Sequence, residues 1–148
     1  MGKSFKLEFS KGGTFKAQLL EDMAPKTCQA FLDSLPFTSR VLNGSFCGHM
    51  FYTTRGFVFS EIENPVVFGA QPGDIFLDTN ANKSMFEGQV VPPQIGIAYS
   101  SKVILWNWAG WLPSNHFARI VDGDLGELYR VGRRIFWEGK EDMKCSLL

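Results

Sequence analysis

Residues 19–37 read LLEDMAPKTCQAFLDSLPF. This stretch is a strand end, an acidic turn and a helix bracketed by two prolines. Pro25 suits the first helical position, where its fixed φ and missing N–H cost nothing. Cys28, Phe31, Leu32 and Leu35 follow at i, i+3, i+4 and i+7, one apolar stripe down one face. Pro36 disfavours helical geometry at Leu35, so the spacing predicts a short helix over about residues 25–35.

Upstream, Phe5, Leu7 and Phe9 alternate with polar residues, Lys11-Gly12-Gly13 forms a turn, and Phe15, Ala17 and Leu19 alternate again. That pattern is a β-hairpin running straight into the helix. Downstream, short apolar runs recur at Phe46–Thr53, Phe57–Glu61, Asp74–Asp78, Ile95–Tyr99, Val103–Trp108, Phe117–Val121 and Leu128–Trp137. Turn signals such as Gln71-Pro72-Gly73, Pro92-Pro93 and Asp122-Gly123 punctuate them. Many short strands with one helix predict a mainly β fold, a closed barrel or sandwich, with residues 1–148 as one domain. Thr79–Gln94, polar and carrying Pro-Pro, reads as a loop over a site.

Fifteen basic and fifteen acidic residues balance, so the chain lacks the electrostatic footprint of a nucleic-acid or anionic-membrane binder. Aromatic residues make up 14%, with 14 Phe among them, which is the composition of a packed core rather than a disordered chain. The alternating MGKSFKLEF start and the lack of a long apolar run make the cytoplasm the expected location. Three cysteines, Cys28, Cys47 and Cys145, occur with no CxxC pair, so neither a disulfide framework nor a zinc site is encoded and no metal or cofactor is expected.

The Leu-Leu-Glu-Asp-x-Ala-Pro-Lys-Thr helix start, Pro72-Gly73-Asp74 and the Asn115-His116-Phe117-Ala118 block resemble small bacterial cyclophilin-like proteins of uncharacterised function. The resemblance implies a single closed cyclophilin-like β-barrel. Phe37–Gly44 is similar to the cyclophilin segment that carries the isomerase arginine, which places Arg40 at that position. Other parts of the isomerase pattern are missing. Ala118 stands where a cyclophilin has a second Phe, Ser45–Met50 replaces its Phe-Met-x-Gln-Gly-Gly-Asp run, and Asp122–Leu125 lacks its His and aromatic.

His116 is the first candidate for chemistry. On a strand it shares a face with Ala118 and Ile120, and if Phe117 points inward, as the resemblance implies, His116 points to the concave outer face. There it reads as a general acid or base, or as a histidine bonded to a nearby turn. Arg40 reads as a clamp for an anion or as an edge-strand arginine. His49 is the other histidine, a candidate ligand-binding group. Two histidines with Glu61, Glu63 or Asp74 would supply a metal triad, though no spacing encodes one. Trp106 and Trp108 face one way on a strand, walling a pocket or filling a core. Asn115 adjoins His116 and is assigned to ligand binding.

Three functions compete. The first is binding of a small anionic metabolite on the barrel face, with or without catalysis, using Arg40, His49 and His116 around an aromatic wall. The second is prolyl isomerisation or proline-peptide binding, dependent on Arg40. The third is a homo-oligomeric module that buries the tryptophans and Leu128–Trp137 between subunits.

Overall fold

The computed structural model describes residues 2–57, 59–79, 94–107 and 110–148. The opening hairpin pairs β1 (Ser4–Phe9) with β2 (Thr14–Leu19), placing Leu7 opposite Phe15. Gly12 and Gly13 make its turn at φ 111° and 112°, values that favour glycine. Alternation then decides the faces: Phe5, Leu7, Phe9, Phe15, Ala17 and Leu19 are all buried, and the residues between them face out or are half-buried.

Helix α1 (Pro25–Ser34) follows as expected, and its stripe buries Cys28 and Phe31. The ring of Phe31 lies 4.6 Å from that of Phe5 and 5.2 Å from that of Phe117, joining helix to barrel interior. Cys28 behaves as a core hydrophobe, since burial pushes its thiol up to about 12, with Glu21 and Glu63 adding to the effect.

The remaining strands are β3 (Phe37–Asn43), β4 (Gly48–Thr53), β5 (Pro65–Val66), β6 (Asp74–Asp78), β7 (Gln94–Val103), β8 (Trp106–Asn107), β9 (Gly110–Trp111), β10 (Ser114–Asp122) and β11 (Glu141–Leu147). Eight of them close in the order β2-β1-β11-β3-β4-β7-β6-β10, and β10 pairs back to β2. Closure removes the unpaired edges that an open sheet would expose. Strand β5 adds to β10 outside the ring, and β8 and β9 form a separate hairpin. Among the described residues, no helix is long and apolar enough to cross a membrane.

Three expectations need correction. Leu128–Trp137 is not a strand: helix α2 (Leu125–Glu138) occupies it, so among the described residues the barrel carries two α-helices rather than one. Its inner stripe, Leu128, Val131 and Ile135, packs into the same core as Phe9 and Phe15. The described residues of Phe57–Glu61 form no strand; Phe57 instead lies edge-on to Phe31 and Phe117. The run Val103–Trp108 is divided, because β7 ends at Val103 and β8 starts at Trp106. Most of the loop expected at Thr79–Gln94 lies outside the described residues.

Candidate functional site

Register across four strands builds the outer face. Ser114 of β10 stands opposite Asp78 of β6, and Asp78 stands opposite Gln94 of β7. Two residues further along, His116, Phe76, Gly96 and Tyr52 are aligned in the same way from β10 to β4. A β-bulge between His116 and Ala118 lets Phe117 and Ala118 both enter the core while His116 stays outside. The same face carries a second apolar cluster, distinct from the barrel interior, that includes Met50, Phe76, Ala98, Cys47 and Leu105.

Over this face lies a cleft of about 210 Å³. Met50, Tyr52, Phe76 and Gly96 line it from the strands, and Gly44, Phe46 and Cys47 from the turn before β4. Leu105 and Leu112, which bracket the β8–β9 hairpin, complete the apolar lining, and Ser114, Asp78 and Gln94 supply its polar side chains. Gly96 makes room for the Met50 methyl, the flexible end of that side chain, which a Cβ at position 96 would displace. The lining is tied together by the backbone: Ile104 N–H donates to the Cys47 carbonyl at 2.9 Å, and the Cys47 thiol donates to the Trp106 carbonyl at 3.1 Å. Burial raises the Cys47 thiol, which makes it a poor nucleophile.

His116 sits beside this cleft but does not line it. Its ring tilts over Phe76 at 5.1 Å, and its Nε2 lies 3.2 Å from Asp74 Oδ1, off the line of a hydrogen bond. Asp74 also accepts from Arg119 Nε at 3.0 Å and from Gln71 N–H at 2.9 Å. Burial alone would raise the Asp74 carboxyl; the His116 ring, the Gln71 N–H and Arg119 outweigh it and hold the group below its ordinary value. The arrangement matches a histidine held by the turn that opens β6.

Asn115 is fully buried and tethers a loop. Its Nδ2 donates to Thr27 Oγ1 at 3.1 Å and to the Glu61 carbonyl at 2.9 Å, and its Oδ1 accepts from Glu63 N–H at 3.0 Å. Glu63 in turn caps α1, accepting the Thr27 N–H at 2.6 Å, the Thr27 hydroxyl at 2.8 Å and the Lys26 N–H at 3.1 Å.

Arg40 is exposed on β3, opposite Asp142 of β11, with 4.0 Å between the charges. It is not among the cleft residues, so it supplies no anion clamp there. His49 stacks on Tyr99 at 5.2 Å and 9°, with its Nδ1 2.9 Å from Ser100 Oγ. Tyr129 of α2 lies edge-on to it at 5.8 Å. His49 keeps this company next to α2 and His116 pairs with Asp74, so no triad forms from them. Among the described residues, no three His, Cys, Asp or Glu side chains are grouped to hold a metal. Trp106 is 40% exposed and pairs with Trp111 across the hairpin; it is not a lining residue of the cleft, and its carbonyl accepts from the Cys47 thiol. Trp108 lies outside the described residues.

Sequence reasoning therefore missed most of the lining. Met50, Phe76, Gly96, Asp78, Gln94 and Ser114 lie on strands far apart in the chain, and only pairing register brings them together. The alternation of Ser114 with His116 was a usable signal, because it puts both on one face.

A family model described as "Protein of unknown function (DUF3830)" matches residues 8–147. No curated protein matches the chain. Among solved structures, McbB in complex with tryptophan is similar at 16% identity and a TM-score of 0.73. That match covers 97% of this chain and 44% of McbB, so the chain spans less than half of that protein. The hypothetical protein AF2241 from Archaeoglobus fulgidus matches at 17% identity and a TM-score of 0.59, covering 99% of this chain and 95% of that one. A cyclophilin type peptidyl-prolyl cis-trans isomerase from Cryptosporidium parvum matches at 13% identity and a TM-score of 0.61, covering 100% and 98%. Identities this low carry the fold alone, and the fold is cyclophilin-like.

Proposed function

The chain belongs to the DUF3830 family of proteins of unknown function, and from that premise we propose that it binds a small molecule in the outer-face cleft of its cyclophilin-like barrel. The observation that carries this reading is the cleft itself: an apolar lining, with polar side chains at the Ser114–Asp78–Gln94 register row. Ligand sites are concave and mostly apolar, with a few placed polar groups. A volume of about 210 Å³ falls below the roughly 300–1,000 Å³ of drug-sized sites, so the ligand is of the size of one ring system with a short polar arm. A flat ring suits the lining, where the Phe76 ring and the Met50 thioether offer polarisable contacts. The tryptophan complex of the structural neighbour McbB is compatible with such a ligand.

The prolyl-isomerase reading depended on Arg40, and that side chain pairs with Asp142 outside the cleft lining. The first test is thermal denaturation with indole as the probe. A ligand at a hundred times its dissociation constant stabilises the folded state by about 2.7 kcal/mol, a shift of several degrees in a chain of this size. Indole is expected to raise the melting temperature, and a proline-containing peptide to leave it unchanged. Gly96→Ala, which displaces the Met50 methyl from its place in the cleft lining, is expected to abolish the indole shift while the circular dichroism spectrum stays native. Leu112→Trp, which fills the cleft from another wall, is the second variant. An unmoved wild-type melting temperature, or an undiminished shift in both folded variants, overturns the proposal.

A further inference from the structure

The cleft wall built by β4 and the turn before it has one side-chain proton left to give. Resting on the binding reading above, we propose that the Tyr52 hydroxyl is the ligand's hydrogen-bond donor, and that the class of ligand is a flat ring system bearing a carbonyl oxygen that accepts from it.

Strand register places the residue. Tyr52 of β4 stands opposite Gly96 of β7, and Gly96 stands opposite Phe76 of β6. Neighbouring strands lie about 4.8 Å apart, so Tyr52 and Phe76 flank the glycine at a separation of roughly 10 Å. All three line the cleft. The half-buried Tyr52 ring leans on the turn, where a Cβ on Gly44 would meet its Cδ1 at 3.3 Å.

The other side chains of this wall are Phe46, Cys47 and Met50. Phenylalanine and methionine have no proton to donate. The Cys47 thiol gives its proton to the Trp106 carbonyl at 3.1 Å. The Tyr52 hydroxyl has no hydrogen-bond partner among the described residues, and it is not one of the sealed polar atoms that lack a partner. It is therefore open to whatever fills the cleft. Burial pushes the phenol above its ordinary value and Cys47 adds to the effect, so the proton stays in place at neutral pH.

A ligand entering the cleft strips water from this hydroxyl. An apolar atom set against it leaves the O–H unpaired and loses the water's hydrogen bond, whereas an oxygen acceptor restores one. A ring lying over Gly96 turns its edge toward Tyr52. The lone pairs of a ring carbonyl lie in that same plane, which is the direction from which an O–H approaches best.

The experiment compares indane with 1-indanone, two fused rings that differ by one carbonyl oxygen, by isothermal titration and by competition with indole. Tyr52→Phe removes only the hydroxyl oxygen. It is expected to weaken 1-indanone about three- to tenfold more than it weakens indane. In the infrared, 1-indanone bound to the wild-type protein is expected to show its carbonyl stretch below the frequency it has in hexane, and to move back toward that frequency in Tyr52→Phe. Equal weakening of both ligands, or none, overturns the donor assignment and leaves the cleft reading standing. So does a wild-type protein that binds indane and refuses 1-indanone. A carbonyl stretch in the wild-type complex at its hexane frequency overturns the assignment even where Tyr52→Phe does not fold. If indole, indane and 1-indanone all fail to bind, the binding reading itself falls.

Discussion

His49 is held as a neutral ring. Burial is the larger cause, and Arg133 and Lys102 add like-charge repulsion against its protonation, so its pKa lies below the ordinary 6.5. The linkage follows with a definite sign. The unfolded chain binds the proton more tightly, so this contribution to stability is full above pH 6.5 and is lost as pH falls from there through the lower folded value. A proton titration of the ring by NMR is expected to give a midpoint below 6.5, and Arg133→Gln to move it upward; a midpoint above 6.5 contradicts the placement of His49 between tyrosines and cations. Both histidines were legible as candidates, and Asp74 was read only as one of three carboxylates for a metal triad rather than as the partner of His116. His116 was expected to face the outer surface, and it does lie on that side, yet its neighbour Asp74 comes from a strand it meets only through register. Asn115 reads in sequence as a polar residue next to a histidine, and only the folded chain reveals its three bonds to α1 and the Glu61–Asn64 segment.

Among the elements, α1 owes its start to a carboxylate distant in sequence. Its N-cap position, Ala24, offers no side-chain bond, and Glu63 takes over that task. Removing it leaves amides and a hydroxyl without their charged acceptor, so Glu63→Ala is expected to cost about 1–3 kcal/mol in urea denaturation and to speed hydrogen exchange in the first turn. Unchanged stability would contradict that account. The first helix was legible because prolines punctuate it at both ends. The second was not, although its signals existed. Asp124 caps it by accepting from Gly126 N–H at 2.8 Å, and Asp124 and Glu127 have the spacing of a capping box. Phe136 and Trp137 are exposed, Tyr129 is 39% exposed beside His49 and Tyr99, and these extra aromatics hid the Leu128–Val131–Ile135 stripe. Gly132 also weakened the helical pattern; the Tyr99 ring packs where its Cβ would be. Strand β11 was overlooked because Glu141 opens it, a charge at a core position. Arg134 explains that charge, donating to both Glu141 oxygens at 2.8 Å each and tying α2 to the strand.

At the scale of the whole molecule, closure of eight strands fixes which residues share the outer face, and the cleft is a product of that closure. The barrel was legible from alternation and turn spacing together with the Pro-Lys-Thr helix start. The cleft was not, because a single sequence states which residues alternate and is silent about which strand lies beside which. The most direct test of the account is an amide NMR titration of the isotope-labelled protein with indole. The account predicts that the largest shifts fall on Met50, Phe76, Gly96 and Ser114, with the amides of Arg40 and His49 unmoved. Shifts concentrated around Arg40 or His49, or none at all, would contradict it.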